Sequence, residues 1–121
     1  MHSPLNAVMI YARDMDKTAG FYQRFFGLVS SGKVEGLIEL SSPDGGPIIL
    51  IHQAAKIVKL GQVGVKLIFA VEDVEAFKAK SAEQGLVFGS THQANGYAFA
   101  NAKDPDNNSV SISSRAYRKR G

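Results

Sequence analysis

Few residue types in this chain can act as nucleophiles, acids, bases or metal ligands. Cysteine is absent, so thiolate nucleophiles, disulfides and cysteine-based zinc sites are excluded. The histidines are three isolated residues, His2, His52 and His92. The other side chains that we consider as an acid or base in metal-free catalysis are Tyr11, Lys66 and Glu39. The chemistry open to the chain is therefore proton transfer or the binding of a ligand.

Composition indicates a single soluble domain. The chain has 121 residues, of which 45% are hydrophobic and 21% charged, as is typical of globular proteins. Its longest apolar runs are too short to cross a bilayer, and the start lacks the pattern of a signal peptide, so we expect a cytoplasmic protein that binds no membrane. The formal net charge is +3, but the last seven residues carry four positive charges, so the rest of the chain has a net charge of −1. Nucleic acid is therefore not an expected partner.

An internal repeat organises the chain. The segments AVMIYARD (residues 7–14) and KLIFAVED (residues 66–73) are both apolar runs that end in an aspartate, and they superpose at an offset of 59. Asp14 and Asp73 each predict the start of a helix, because an aspartate carboxylate can accept hydrogen bonds from the first-turn amides. In the first helix, a three-and-four spacing of aromatic residues predicts that Phe25 points at a sheet.

Short runs typical of strands follow each predicted helix. They lie at about residues 29–33, 37–41 and 48–53 in the first half, and 86–90, 97–102 and 109–113 in the second. A turn at residues 104–108 precedes the last run, and asparagine there tolerates a positive φ. We predict one domain, residues 1–121, built of two repeats (about 5–53 and 62–115), a linker (about 54–61) and a basic C-terminal tail.

Two motifs resemble those of a known superfamily. RDMDKTAGFYQRFFGL (residues 13–28) resembles the first helix of the vicinal oxygen chelate proteins, which include glyoxalases, bleomycin resistance proteins and extradiol dioxygenases. KDPDNNSVSI (residues 103–112) resembles the Asp-Pro-Asp-Gly-Asn turn that enters their last strand. The resemblance implies an α+β fold of two tandem βαβββ units, with curled mixed sheets that enclose a cavity. A ferredoxin-like or plain α+β sandwich is the alternative.

The resemblance also indicates where the metal ligands of the superfamily would fall. These positions are Ala7 and Lys66 in the first strands and Ile49 and Ser111 in the last strands. None is a histidine, glutamate or glutamine, so we expect no metal and no other cofactor. We place His52 on the side of its strand opposite to Ile49, toward the helices or the end of the strand.

Strand alternation predicts which side chains point into the cavity. We expect an apolar face with polar tips, as in a ligand pocket. Its residues are Ala7, Met9, Tyr11, Ile49, Ile51, Gln53, Lys66, Ile68, Ala70, Ser109, Ser111 and Ser113, with Arg115 beyond them.

Two functional hypotheses follow from the resemblance. The first is a metal-independent protein that binds or sequesters a small amphiphilic or anionic compound, as antibiotic-resistance members do, in a cleft at the interface of a homodimer. Bleomycin itself is disfavoured, because the body of the chain is nearly neutral and the pocket contains Lys66. The second is an enzyme, either glyoxalase-, lyase- or dioxygenase-like with a metal, or a metal-free isomerase that uses Tyr11, Lys66 or Glu39. A dimeric scaffold is a third possibility.

Overall fold

In the computed structural model, which describes residues 2–34 and 36–119, the chain divides into two compact units. Unit 1 is Met1–Leu60 and unit 2 is Gly61–Gly121. Each contains one α-helix and one four-stranded sheet, in the order strand, helix, three strands. The prediction of an α+β fold with two βαβββ units is thus confirmed. No helix in the described residues is long and apolar enough to span a membrane.

The two units have the same topology. The elements of unit 1 are β1 (Ala7–Ala12), α1 (Met15–Phe26), β2 (Val29–Val34), β3 (Leu37–Ser41) and β4 (Ile48–Gln53). Those of unit 2 are β5 (Lys66–Ala70), α2 (Val74–Glu83), β6 (His92–Ala94), β7 (Tyr97–Lys103), β8 (Ser109–Ser113) and a single 3-10 turn, η1 (Arg115–Tyr117). The strand orders are β1-β4-β3-β2 and β5-β8-β7-β6. In each sheet the last strand is parallel to the first and antiparallel to the strand before it.

The predicted aspartate caps begin both helices. The Asp14 carboxylate accepts the backbone N–H of Lys17 at 3.1 Å, and that of Asp73 accepts the backbone N–H of Ala76 at 3.0 Å. Each bond satisfies one of the first-turn amides that have no partner within the helix. At the other end of α1, Gly27 adopts a left-handed conformation with φ 67°, which ends the helix.

Helix α1 covers one face of the first sheet. Its buried residues are Met15, Thr18, Ala19, Phe21 and Tyr22. Tyr22 is fully buried, as are Leu40 of β3 and Ile51 of β4. Phe25, which we expected to point at the sheet, is only half-buried, and its ring lies against Phe21 at 5.3 Å and beneath the Arg24 guanidinium. The buried stripe of the helix is therefore centred on Tyr22.

One predicted strand is wrong. Residues 86–90 form no strand. The second strand of unit 2 is instead the short β6 at His92–Ala94, which pairs with β7. Phe88 is buried with its ring edge-on to Phe77 of α2, at 6.1 Å between centroids. The apolar alternation that suggested a strand thus serves packing beneath the helix. The Gly89 N–H donates to the Asn101 carbonyl at 2.9 Å.

A side chain–backbone network shapes the predicted turn at residues 104–108. The buried Asp104 carboxylate accepts the backbone N–H groups of Asp106 and Asn108, at 2.8 and 2.9 Å, and the Asn108 side-chain amide at 3.0 Å. Asn107 has φ 67°, as the prediction of an asparagine with positive φ requires. The network fixes the point at which β8 begins.

The segment predicted as a linker is anchored to unit 1. The Ala54 N–H donates to the Ala12 carbonyl at 2.8 Å, and Ala54 is buried. The Arg13 guanidinium donates to the carbonyls of Ala55 and Val58. Residues 54–58 therefore extend the body of unit 1.

Substitution of Tyr22 tests the position of the unit 1 core. We expect Tyr22→Ala to lower the free energy of unfolding by about 3–5 kcal/mol, because it leaves a cavity where a fully buried ring packs. Phe25→Ala is the matched control and should cost about half as much or less, since its ring is already partly in water. Urea denaturation followed by circular dichroism measures both, and equal losses would contradict this assignment of the core.

Candidate functional site

Pairing of β5 with β8 determines which side chains share a face in unit 2. Lys66 lies opposite Ser109, Ile68 opposite Ser111, and Ala70 opposite Ser113. Paired residues point to the same side of a sheet, so these six residues share one face. We call this side the open face of unit 2. The other side, which carries the fully buried Val110 and Ile112, is the helix face.

Strand β7 adds aromatic residues to the open face. Phe99 pairs with Ser113 and Asn101 pairs with Ser111, so both belong to it. Tyr97 is two residues before Phe99 and therefore has the same facing. Strand β7 was predicted from the sequence at about residues 97–102, but none of its side chains was predicted to belong to the ligand site. The alternation of Tyr97 and Phe99 was the available signal.

A cavity of about 190 Å³ lies on the open face of unit 2. It is lined by Lys66, Ile68, Tyr97, Phe99, Ser111, Ser113 and Arg115. Ser111 and Ser113 are 2% and 5% exposed although they are on the open face, because these small side chains of the central strand lie below longer neighbours. Ser109, also a predicted site residue, does not line the cavity and instead accepts a hydrogen bond from Lys103 Nζ at 2.9 Å.

Cations and aromatic rings are paired around this cavity. The Lys66 ammonium lies 5.6 Å from the centre of the Phe99 ring, within the range of a cation–π contact. The His92 ring stacks on the same phenylalanine at 5.1 Å. The Arg118 guanidinium lies over the Tyr97 ring at 5.6 Å.

The basic C-terminal segment contributes to this face. Arg115, which the strand pattern added to the predicted pocket, lines the cavity, and Arg118 of the predicted basic tail contacts Tyr97. Arg120, the last basic residue of the predicted tail, lies outside the described residues.

Hydrogen bonds leave the two buried serine hydroxyls with different roles. Ser111 Oγ donates to the Ala100 carbonyl at 3.0 Å, so what remains to it is acceptor capacity. Ser113 Oγ accepts the backbone N–H of Arg115 at 3.1 Å, so its own hydrogen is available to another acceptor. Ser113 can therefore donate a hydrogen bond to a ligand in the cavity.

In unit 1 the predicted facing of β4 is wrong. Ile49 and Ile51 pair with Val8 and Ile10, and they are 7% and 0% exposed on the helix side. Leu50 pairs with Met9, so Leu50 is the repeat mate of Ser111 at the position that the sequence analysis gave to Ile49. The turn before β4 differs in length from the turn before β8, and aligning the two turns shifted the register by one residue. A one-residue shift exchanges the faces of every side chain in a strand.

The open face of unit 1 contains two of the predicted acid–base residues. On strand β1 this face carries Ala7, Met9 and Tyr11, which pair with Ile48, Leu50 and His52 of β4. The rings of Tyr11 and His52 are 5.3 Å apart. Glu39 pairs with Leu50 and is exposed on the same face. Gln53, at the end of β4, uses its amide to donate to the Arg13 carbonyl at 2.9 Å.

His52 was expected opposite to Ile49, toward the helices or the end of its strand. It is opposite to Ile49 and one residue from the end of β4, but it lies on the open face and not toward the helix. Its Nδ1 is 2.8 Å from the Gln53 carbonyl oxygen, which can only accept, so Nδ1 carries the hydrogen. In the neutral ring the lone pair is then on Nε2. Of the predicted acid–base residues, Tyr11 and Glu39 belong to unit 1 and Lys66 belongs to unit 2.

The residues at the family's metal positions do not suit a divalent metal. Ala7, Leu50, Lys66 and Ser111 offer neither imidazole nor carboxylate donors. Within residues 2–34 and 36–119, no group of three or more histidine, aspartate or glutamate side chains is close enough to hold an ion. We therefore derive no chemistry through a metal.

A larger hollow on unit 2 is a weaker candidate. It measures about 560 Å³ and is bordered by Glu72, Asp73, Glu75 and Thr91 among others. Two of its carboxylates already have partners, because Asp73 caps α2 and Glu75 accepts a hydrogen bond from Thr91.

Comparisons with known proteins agree with this fold. The model of the Glyoxalase/Bleomycin resistance protein/Dioxygenase superfamily matches residues 5–112. No curated protein sequence matches the chain. Among solved structures, lactoylglutathione lyase from Agrobacterium tumefaciens is 25% identical with a TM-score of 0.72, covering 93% of each chain. TnmS3, an antibiotic binding protein from Streptomyces sp. CB03234, is 17% identical with a TM-score of 0.78, covering 92% of this chain and 94% of its own.

The donor set predicts that the protein has no specific metal site. We expect titration calorimetry with Mg²⁺, Mn²⁺, Fe²⁺, Ni²⁺ and Zn²⁺ to detect no stoichiometric binding of micromolar affinity, because none of the positions offers the required ligands. The protein should be treated with chelator beforehand and carry no histidine tag. A stoichiometric micromolar site would contradict this prediction and favour the metalloenzyme hypothesis.

Proposed function

The chain belongs to the Glyoxalase/Bleomycin resistance protein/Dioxygenase superfamily, and we propose that it is a metal-independent protein that binds a small amphiphilic or anionic compound. The observation that most directly supports this proposal is the cavity on the open face of unit 2. Apolar and aromatic side chains form part of its lining, while Lys66 and Arg115 supply positive charge and none of the described residues that line it is a carboxylate. Such a combination of apolar lining with a few polar groups is typical of ligand pockets.

One of the named structures supports a binding role without specifying the ligand of this chain. TnmS3 is described as an antibiotic binding protein and shares the fold at 17% identity. This precedent supports sequestration of a compound as the function here, and the chemistry of the cavity supports an anionic or amphiphilic compound. A cytoplasmic location, expected from the sequence, is part of the same proposal.

We also propose that the chain forms a homodimer whose interface completes the ligand cleft. Apolar side chains on the open faces support this, since Met9, Tyr11 and Ile68 are 41%, 46% and 65% exposed. Exposed apolar surface of this kind is stabilised by burial against another chain. Light scattering at micromolar concentration should give the mass of two chains, and the mass of a single chain would contradict the proposal.

An enzymatic function is the second candidate, and one observation favours it. On the open face of unit 1, Tyr11, Glu39 and a histidine with its Nε2 lone pair available lie on adjacent strands. These groups could move protons in a metal-free isomerase or lyase. The relation to a lactoylglutathione lyase at 25% identity supports this class of reaction in general terms.

A ligand screen separates these functions. We expect a thermal-shift screen of metabolites and antibiotics to find compounds that raise the melting temperature by about 4 °C or more at tenfold excess over Kd, since binding only to the native state stabilises it. Ile68→Trp should abolish the shift by filling the cavity, because Ile68 lines it and is largely exposed.

The matched control is Val87→Trp, which adds the same ring at an exposed position outside the cavity lining. Recovery of each bound compound unchanged supports a binding protein, and its conversion supports an enzyme. A shift that survives in Ile68→Trp would contradict the proposed location.

A further inference from the structure

We propose that the cavity of unit 2 selects a small aromatic carboxylate, with the ring of the ligand against Phe99 and its carboxylate between Lys66 and Arg115. This inference rests on the proposed binding function and specifies its ligand class. It is carried by the charge, the aromatic lining and the size of the cavity.

Charge is the first argument. Lys66 and Arg115 line the cavity, and no aspartate or glutamate among residues 2–34 and 36–119 does. Within the described part of the chain, neither cation has a salt bridge, and the Arg115 guanidinium has no hydrogen-bond partner. Two cations that converge on a cavity without a counterion favour an anionic ligand.

The geometry of the donors favours a carboxylate among anions. A guanidinium presents parallel N–H groups that match the two oxygens of a planar carboxylate. The Ser113 hydroxyl, which is 5% exposed, accepts a hydrogen bond from the backbone N–H of Arg115 and keeps its own hydrogen for an acceptor in the cavity. The ligand therefore meets donors from three side chains, Lys66, Ser113 and Arg115.

The aromatic lining favours a planar ring on the ligand. Phe99 stacks with His92, and the Lys66 ammonium lies over the Phe99 ring at 5.6 Å. A carboxylate is a stronger partner for an ammonium than a ring face is, so binding draws Lys66 toward the anion. Movement of Lys66 frees the face of Phe99 to stack on the ring of the ligand.

Size limits the ligand to about one ring. The cavity of about 190 Å³ is smaller than the roughly 300–1,000 Å³ typical of pockets for drug-sized compounds. A single aromatic ring with one carboxylate suits this space.

Titration of the full chain with four probes tests the inference. The probes are benzoate, cyclohexanecarboxylate, benzyl alcohol and inorganic phosphate, followed by amide NMR shifts and calorimetry. We expect benzoate to bind most tightly and to shift the amides of Phe99 and Ser113, with benzyl alcohol weaker by about tenfold or more because it lacks the charge. Phosphate or cyclohexanecarboxylate binding as tightly as benzoate would overturn the inference.

Two variants with one control assign the roles of the residues. Arg115→Gln should weaken benzoate by about tenfold, and Lys103→Gln, which removes the same charge from the same face but outside the cavity lining, should change it by less than about twofold. Phe99→Leu should weaken benzoate more than cyclohexanecarboxylate. Equal effects of Arg115→Gln and Lys103→Gln would overturn the inference, because net charge alone would then explain binding. Arg115 is exposed, so its variant should fold, and thermal unfolding checks this.

Failure of the ligand class is distinguishable from failure of the proposed function. If benzoate does not bind but another compound gives a thermal shift that Ile68→Trp abolishes, the inference is wrong and the binding function stands. If no compound gives such a shift, both are wrong.

Discussion

The parallel pairing of the first strand with the last strand in each unit is the constraint on which the site depends. Both partners come from distant parts of their unit, and their register decides which side chains share a face. In unit 2 this pairing puts Lys66 and Ile68 beside the serines of β8, with Val110 and Ile112 beneath the helix. The cavity and the core are thus opposite faces of one strand alignment, and neither can shift without the other.

The two units use the same framework for different surfaces. At equivalent positions, unit 1 has Tyr11 paired with His52, and unit 2 has Ala70 paired with Ser113. The two rings of unit 1 are in contact at 5.3 Å, whereas the small side chains of unit 2 leave room above the sheet. At this pair of positions, the small side chains of unit 2 therefore leave room for the cavity on its open face, whereas the larger side chains of unit 1 form a ring pair.

The sequence predicted elements well where a local rule determines them. The aspartate caps, the Asp104 turn and the order of the elements follow from hydrogen bonds within a few residues, and they were predicted. The strand at residues 86–90 was wrong, because apolar alternation does not distinguish pairing in a sheet from packing of Phe88 under a helix. Local sequence patterns predict hydrogen bonds between residues that are close in the chain, and this error concerns packing between residues that are farther apart.

The sequence predicted the facing of some site residues and not of others, for the same physical reason. The residues of β5 and β8 that the sequence analysis grouped together do share one face, because their motifs set the register directly. Ile49 and Ile51 were placed on the wrong face, since the length of the preceding turn decides the register of β4. Tyr97 and Phe99 were missed because their role depends on pairing with β8.

Part of the cavity lining lies beyond the residues that the family model matches. The superfamily model ends at residue 112, inside β8, while Ser113 and Arg115 of the cavity come after it. Arg115 belongs to the 3-10 turn η1 and to no strand of the sheet. A substitution at Arg115 therefore changes the charge of the cavity without altering any strand of the sheet.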